Sequence, residues 1–162
     1  MRRHQVIIKM KVGVISDTHG LLRPEAIEAL KRSEHIVHAG DVGDPAILER
    51  LGEIAPVTAV RGNVDKGAWA RELPEIEVLE LGGVAIYVLH EIGKLDLEPK
   101  GAGFLAVVYG HSHVPKEETK NGVLYFNPGS AGPRRFSLPI SLGFLFVEEG
   151  KIRGEVVDLK LR

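Results

Sequence analysis

The sequence predicts an α/β fold with two β-sheets. In the first 65 residues, apolar runs alternate with amphipathic segments in the order β-α-β-α-β, and such connections imply a parallel sheet. After residue 75, β-rich runs are joined by the turn signals Gly82-Gly83 and Asn121-Gly122, which are typical of hairpins. We therefore expect the second half to form a second, largely antiparallel sheet. With 162 residues, the chain is long enough to bury a full core as one domain.

The first half contains three strands and two helices. Strands are expected at about residues 10–16, 35–39 and 56–60, because these runs are apolar and short. Pro24 suits the first position of a helix, and the apolar residues that follow it recur at helical spacing. Asp44 and Pro45 are the expected N-cap and first residue of the second helix.

The second half is mostly strand. Residues 75–81 and 84–89 form a predicted hairpin, and apolar runs follow at 104–109 and 123–126. A last hairpin is expected at about residues 142–159, turning at Glu149-Gly150. The segment 93–103 between these strands is polar and is predicted to be irregular, with room for a short helix.

The composition is that of a globular protein. It is 44% hydrophobic and 27% charged with a formal net charge of −1, so charge gives no reason to expect nucleic acid or an anionic membrane as partner. The absence of cysteine excludes disulfides, zinc fingers and thiol catalysis. No apolar run approaches the ~20 residues of a membrane span, and we expect a cytoplasmic protein. Scarce Asn and Gln indicate a thermophilic source. Residues 1–9 are interpreted as an extension without function, which leaves residues 10–162 as the domain.

Polar residues that can bind metal ions follow five of the apolar runs. In an extended chain, residues i and i+2 face the same way, so Asp17 and His19 are expected at one point of a sheet edge. Each of these residues is a weak signal by itself, but their joint order argues against chance. They are expected to converge on one site for two metal ions, and in chain order they are Asp17, His19, Asp41, Asn63, His90, His111 and His113.

These motifs resemble those of the calcineurin-like metallophosphoesterases. The family pattern DxH, GD, GNH(D/E), a lone His and GHxH is matched by Asp17-Thr18-His19, Gly40-Asp41, Gly62-Asn63-Val64-Asp65, His90 and Gly110-His111-Ser112-His113. The small size and the segment Asn127-Pro128-Gly129-Ser130 are similar to the small phosphodiesterase subfamily. The resemblance covers nearly the whole chain from Met10.

The resemblance implies an αββα sandwich, with two facing mixed sheets and helices outside. It implies that one metal is held by Asp17, His19, Asp41 and His113, and the second by Asp41, Asn63, His90 and His111. Asp41 would bridge the two metal ions. The residues assigned to catalysis would be Asp41, Asn63 and His90. Carboxylate, carboxamide and imidazole ligands suit Mn²⁺, Ni²⁺, Zn²⁺ or Fe²⁺, with manganese preferred. The implied reaction is in-line attack of a metal-bridging hydroxide on a small phosphodiester.

Two positions depart from the family pattern. The His of GNH(D/E) is Val64 here, and valine cannot donate a proton to a leaving group. We therefore expect a preference for activated aryl phosphodiesters. Glu91 stands where the family usually carries Gly. It is either a solvated loop carboxylate or a pocket carboxylate that discourages dianionic monoesters or forms a hydrogen bond with a ligand.

Several further residues have candidate roles. Ser130 and Arg134 are candidates for contact with substrate. His38 is expected to be a buried polar residue, and Asp65 is expected to orient the loop of Asn63. The alternative functions are a phosphomonoesterase and a non-catalytic protein-binding scaffold of the same fold. The exposed hairpins are compatible with a homodimer.

Overall fold

Two five-stranded β-sheets face each other in the computed structural model, which describes residues 9–161. The prediction of two facing mixed sheets is confirmed. The expected extension, residues 1–9, lies outside the described residues except for Lys9, which begins the first strand. The strands are β1 Lys9–Ile15, β2 His35–His38, β3 Val57–Ala59, β4 Ile76–Leu81, β5 Val84–Leu89, β6 Ala106–Val108, β7 Lys116–Lys120, β8 Val123–Asn127, β9 Ser141–Glu148 and β10 Lys151–Asp158.

Three short α-helices accompany these strands. They are α1 Pro24–Leu30, α2 Pro45–Gly52 and α3 Ala68–Arg71. Asp44 caps α2 as expected, since its carboxylate accepts a hydrogen bond from the Ala46 N–H at 2.9 Å. Helix α3, a single turn, was not predicted. None of the helices in residues 9–161 has the length and apolar character needed to cross a membrane.

The first sheet has the strand order β10-β9-β1-β2-β3. The pairs β1–β2 and β2–β3 are parallel, whereas β9 runs antiparallel to both β1 and β10. The expectation that the last hairpin belongs to the second sheet is wrong. Strand β9 is apolar on both faces, with Leu145 and Val147 on one side and Leu142 and Phe144 on the other. Such a strand needs cover on both faces, and the helix-covered first sheet provides it.

The second sheet has the order β4-β5-β6-β8-β7 and is more parallel than expected. The pairs β5–β6 and β6–β8 are parallel, and only the outer pairs β4–β5 and β7–β8 are antiparallel. Residues 90–105 and 109–122 are long enough for the crossovers that parallel pairs need. Turn signals between neighbouring strands do not reveal such crossovers.

Alternating side chains fill the space between the sheets. The ring of Phe126 on β8 is fully buried, and it lies against Gly143 and Gly154 of the first sheet, where a Cβ atom at either glycine would overlap the ring. The helices cover only the outer face of the first sheet. The outer face of the second sheet is covered instead by the segment after β5, through Leu95, Leu97 and Phe104.

Candidate metal centre

All seven predicted ligands meet where the two sheets present the carboxyl ends of their parallel strands. Six of them form two clusters, and within each cluster the ligand atoms lie within 4.8 Å of one another: Asp17, His19 and His113 in the first cluster, and Asp41, His90 and His111 in the second. Asp17 and His19 follow β1, and Asp41 follows β2, while the other residues come from the loops after β3, β5 and β6. The loops of both sheets therefore build one centre.

Asp41 joins the two clusters. Its Oδ2 atom lies 3.6 Å from His19 Nε2 and 3.1 Å from His90 Nε2. Its Oδ1 atom accepts a hydrogen bond from the Val64 N–H at 3.0 Å, which fixes the direction of Oδ2. This is the position that a carboxylate shared by two ions would take.

Asp17 occupies the buried side of the centre. Its Oδ1 atom lies 3.4 Å from His113 Nε2 and 3.7 Å from His19 Nε2. Its Oδ2 atom accepts hydrogen bonds from the Ser16 hydroxyl at 2.7 Å and from the His111 N–H at 3.1 Å. The side chain is thus held with Oδ1 facing the imidazoles.

Asn63 and His111 form the open side of the centre. Both residues are exposed, and Asn63 Oδ1 lies 3.1 Å from His111 Nδ1. Asp17, Asp41, His90 and His113 are buried. A substrate therefore has access to the centre from the side of the second cluster.

The backbone at the ligands is mostly left-handed. Asp17 and His19 lie together at the end of β1 as predicted. The extended backbone expected there is wrong, because β1 ends at Ile15 and both residues have positive φ. Non-glycine residues rarely adopt this conformation, and it clusters at functional sites. Five of the predicted ligands share it: Asp17 (54°), His19 (44°), Asp41 (55°), His111 (72°) and His113 (64°).

Buried atoms without hydrogen-bond partners test whether metals fit here. His90 Nδ1 lies 2.7 Å from the Ala39 carbonyl, which can only accept, so Nδ1 carries the proton and Nε2 presents its lone pair to the centre. Neither His90 Nε2 nor Asp17 Oδ1 has a hydrogen-bond partner, although both are buried. Such atoms are costly unless a ligand binds them. The oxygen and imidazole donors fit divalent transition-metal binding.

The charges of the site shift the pKa values of its members. Burial by itself would raise the pKa of Asp17, but the nearby imidazoles of His113, His19 and His90, together with the Ser16 hydroxyl, outweigh burial and lower it. In Asp41, burial likewise opposes the interaction with His90, and the net pKa is lowered. Burial lowers the pKa of His90, but Asp41 and Asp17 raise it above its ordinary value. The carboxylates are therefore ionised near neutral pH, and a bound metal must compete with protons for His90.

Asp65 holds together the two loops that carry Asp41 and Asn63. Its carboxylate is buried and accepts hydrogen bonds from the N–H groups of Gly43 at 2.9 Å, Val42 at 3.2 Å and Gly62 at 2.9 Å. Gly62 has no space for a side chain, because a Cβ atom there would overlap the backbone and carboxylate of Asp41. These contacts agree with the expected positioning role of Asp65.

The predicted substrate contacts differ in their accessibility. Glu91 is partly exposed, with its Oε1 atom 3.9 Å from Lys94 Nζ, and it lines a cavity beside His90. Ser130 is a correction: it is buried, and its hydroxyl donates to the Asp17 carbonyl at 3.0 Å and accepts from the Gly132 N–H at 3.3 Å. Its hydroxyl is used to fix the loop against Asp17, so it is not available to a substrate.

Arg134 contacts its own loop, and its contact with substrate stays a prediction. Its guanidinium donates to the Leu138 carbonyl at 3.4 Å within its own exposed loop. The charge of the neighbouring Arg135 has a small effect on the centre: Asp17 raises the pKa of His19, and Arg135 opposes this rise.

His38 is a structural residue, as expected. It is fully buried, and the Gly40 N–H donates to its Nδ1 at 3.1 Å, so its Nε2 donates to the Thr18 hydroxyl at 3.0 Å. That hydroxyl in turn donates to the Val42 carbonyl at 2.8 Å. This chain of hydrogen bonds connects the loop after β1 with the loop after β2.

The stability of the protein is expected to depend on pH through His38. Burial lowers its pKa from 6.5 to about 4, so below pH 6.5 the unfolded chain binds a proton that the folded chain does not. This difference in proton binding lowers the free energy of unfolding by about 2 kcal/mol as the pH falls from 8 to 5. His38→Gln removes the titration, so the wild-type protein should lose that much stability relative to the variant over this range. Guanidinium unfolding in the presence of chelator measures it.

His35→Gln is the matched control, since His35 lies on the same strand and is only half-buried. The free energy of unfolding of His35→Gln, taken relative to that of the wild-type protein, should change less over the same pH range. Parallel pH profiles for the wild-type protein and His38→Gln would contradict the assignment.

Comparisons with known proteins agree with this geometry. Residues 10–150 match the model of the calcineurin-like phosphoesterase superfamily domain. A probable metallophosphoesterase of Methanocaldococcus jannaschii is 34% identical, over 93% of this chain and 82% of the relative. The phosphodiesterase YfcE of Escherichia coli K12 is 30% identical, over 84% of this chain and 87% of the relative.

A solved structure shows the same fold. Vacuolar protein sorting 29 from Cryptosporidium parvum aligns with a TM-score of 0.79 at 22% identity, over 94% of this chain and 92% of that one. At this level of identity the likeness is one of fold. From the family match over residues 10–150 and the relatives at 30% identity or more, the chain belongs to the calcineurin-like phosphoesterase superfamily.

Proposed function

We propose that the chain is a phosphodiesterase that uses two divalent metal ions. Asp17, His19, Asp41 and His113 would hold one ion, and Asp41, Asn63, His90 and His111 would hold the other. The observation that carries the proposal is the position of Asp41 Oδ2, which lies 3.6 Å from His19 Nε2 in one cluster and 3.1 Å from His90 Nε2 in the other. One carboxylate thus reaches both ligand clusters.

When bound, two such ions supply a water of lowered pKa and neutralise charge on the phosphate. The chain supplies the arrangement around them. Asn63 adds a neutral ligand on the exposed side, which keeps that side attractive to an anionic ester. Asp41 and His90 are fixed by hydrogen bonds to Val64 and Ala39 and so define the catalytic geometry. The mechanism we propose is in-line attack at phosphorus without a covalent enzyme intermediate.

Val64 limits which leaving groups can depart. Its N–H group supports Asp41, but its side chain is 45% exposed beside the centre and offers no proton. General acid catalysis typically contributes about 10²- to 10⁴-fold, so an alkoxide should depart slowly here. Aryl phosphodiesters, whose leaving groups need no proton, are the expected substrates in the test tube.

The test is hydrolysis by protein stripped with a chelator and then supplied with Mn²⁺, Ni²⁺ or Zn²⁺. The substrates are bis(4-nitrophenyl) phosphate, 4-nitrophenyl phosphate and a dialkyl phosphate. We expect activity only after metal addition, with kcat/KM for the aryl diester about tenfold or more above the monoester. The alkyl diester should be slower by about 10²-fold or more. Equal rates on the aryl and alkyl diesters would contradict the interpretation of Val64, and faster monoester cleavage would favour the phosphomonoesterase alternative.

The scaffold alternative also has one supporting observation. Several apolar side chains are exposed in the loops that carry the ligands, among them Val64 and Val114, and Phe136 in the loop near Arg135 is 88% exposed. Such side chains could serve a protein partner. Metal binding without turnover of any of the three substrates would favour this alternative. A homodimer and a cytoplasmic location stay predictions.

A further inference from the structure

A cavity of about 260 Å³ opens beside the second ligand cluster. Its wall includes Asn63 and His90, two of the ligands proposed for the second ion. His90 Nε2 lies 3.1 Å from Asp41 Oδ2, so the cavity directly adjoins the centre. A phosphodiester held by the proposed centre would therefore have this cavity within reach of one of its two organic groups.

The polar lining of the cavity contains both negatively and positively charged side chains. Three carboxylates, Glu75, Glu91 and Asp96, face two cations, Arg61 and Lys94. Arg61 Nη2 lies 3.0 Å from Glu75 Oε1, and Lys94 Nζ lies 3.9 Å from Glu91 Oε1. The lining thus offers strong donors and strong acceptors side by side, with a small excess of negative charge.

This mixture discriminates between chemical classes of ligand. A second anionic group would meet three carboxylates, which outnumber the two cations, so the lining disfavours it. A hydroxyl group both donates and accepts, so it can use the carboxylates and the cations together. The carbon skeleton of such a group can pack on Ile76, which is 44% exposed at the cavity.

The size of the cavity limits the ligand further. A volume of 260 Å³ corresponds to roughly nine water molecules at about 30 Å³ each. This accommodates a small alcohol such as glycerol or a pentose. The aryl leaving group does not need this cavity. It can pack on the exposed side chain of Val64, which lies outside the cavity lining.

We propose that this cavity binds the retained substituent of the phosphodiester and selects a small polyhydroxylated alcohol there over a substituent that carries an anionic group. The inference rests on the proposed phosphodiesterase function, because it assigns the second organic group of the same substrate. Glu91 then acts as a specificity-determining residue of the site.

The experiment uses the metal-loaded full chain and three 4-nitrophenyl phosphodiesters that share one leaving group. They differ only in the retained substituent, which is glycerol, propyl or 2-carboxyethyl. We expect kcat/KM for the glycerol ester to exceed that of the propyl ester by roughly tenfold, as one or two additional hydrogen bonds would give. The carboxyethyl ester should have the lowest kcat/KM of the three.

The variant Glu91→Gln/Asp96→Asn removes two of the carboxylates at nearly unchanged volume. It should reduce the ratio of kcat/KM for the glycerol ester to that for the propyl ester. It should also raise kcat/KM for the carboxyethyl ester at least fivefold relative to that for the propyl ester. Glu80→Gln is the matched control, because Glu80 is an exposed carboxylate of β4 outside the cavity lining, and all three rates should stay unchanged.

The possible outcomes separate the subsite from the phosphodiesterase function. Equal kcat/KM for the glycerol and propyl esters would overturn the subsite while leaving the phosphodiesterase function intact. The subsite would also be overturned if the double variant kept the substrate order of the wild-type protein. Absence of hydrolysis of all three esters by the metal-loaded protein would overturn the proposed function, and the subsite with it.

Discussion

Asp41→Asn is expected to lose at least one bound metal ion per chain and about 10³-fold or more in kcat/KM for an aryl phosphodiester. Asp41 Oδ2 is the carboxylate oxygen between His19 and His90, so the substitution removes negative charge from both clusters together. The amide can still accept the Val64 hydrogen bond through one oxygen, so the loop should keep its shape. Metal content by elemental analysis and steady-state hydrolysis measure the two effects.

Asp44→Asn is the matched control for this variant. It makes the same chemical change three residues later, at the exposed N-cap of α2, where asparagine caps as well as aspartate. Metal content and activity should therefore equal those of the wild-type protein. If Asp41→Asn retained two ions and more than a tenth of the wild-type activity, the shared-carboxylate assignment would be wrong.

The elements that the sequence predicted well are those governed by local patterns. Apolar runs placed the strands, and Asp44-Pro45 placed the start of α2, because capping and burial act over a few residues. The same runs identified Asp17 and Asp41 as neighbours, since the loops after the parallel strands β1 and β2 meet at one edge of the first sheet. His90 follows β5 of the second sheet, so only the packing of the two sheets brings it to these carboxylates.

The parts that were mispredicted depend on contacts between distant segments. The last hairpin joined the first sheet because Leu142 and Phe144 of β9 pack with residues of α1 and α2, and no local signal specifies that partner. The left-handed backbone at Asp17 and His19 is held by the Gly40 and Asp41 carbonyls, which accept hydrogen bonds from their N–H groups. The apolar pattern of β1 by itself could only suggest an extended continuation.

Asp65 is one more residue whose role depends on distant contacts, and its removal should have the second large effect. Asp65→Ala leaves the N–H groups of Val42, Gly43 and Gly62 without their acceptor. Gly43 is exposed, so water can replace its lost acceptor, but Val42 and Gly62 are buried. An unsatisfied buried donor costs about 1–3 kcal/mol, so the two together should lower the free energy of unfolding by about 3 kcal/mol. Val42 adjoins Asp41 and Gly62 adjoins Asn63, so the affinity for metal should also fall by about 10- to 100-fold.

Two measurements separate the structural part of this effect from the functional part. Denaturant unfolding of chelated protein reports the loss of stability by itself, and calorimetric titration with Mn²⁺ well below the melting temperature reports metal affinity in folded protein. Asp65→Asn, which keeps one acceptor oxygen, should fall between the wild-type protein and Asp65→Ala in both. Asp158→Ala removes an exposed carboxylate of β10 and should change neither quantity. Asp65→Ala with wild-type stability and wild-type metal affinity would show that the two loops keep their positions without this carboxylate. The left-handed turns at the ligands would then have to hold the centre by themselves.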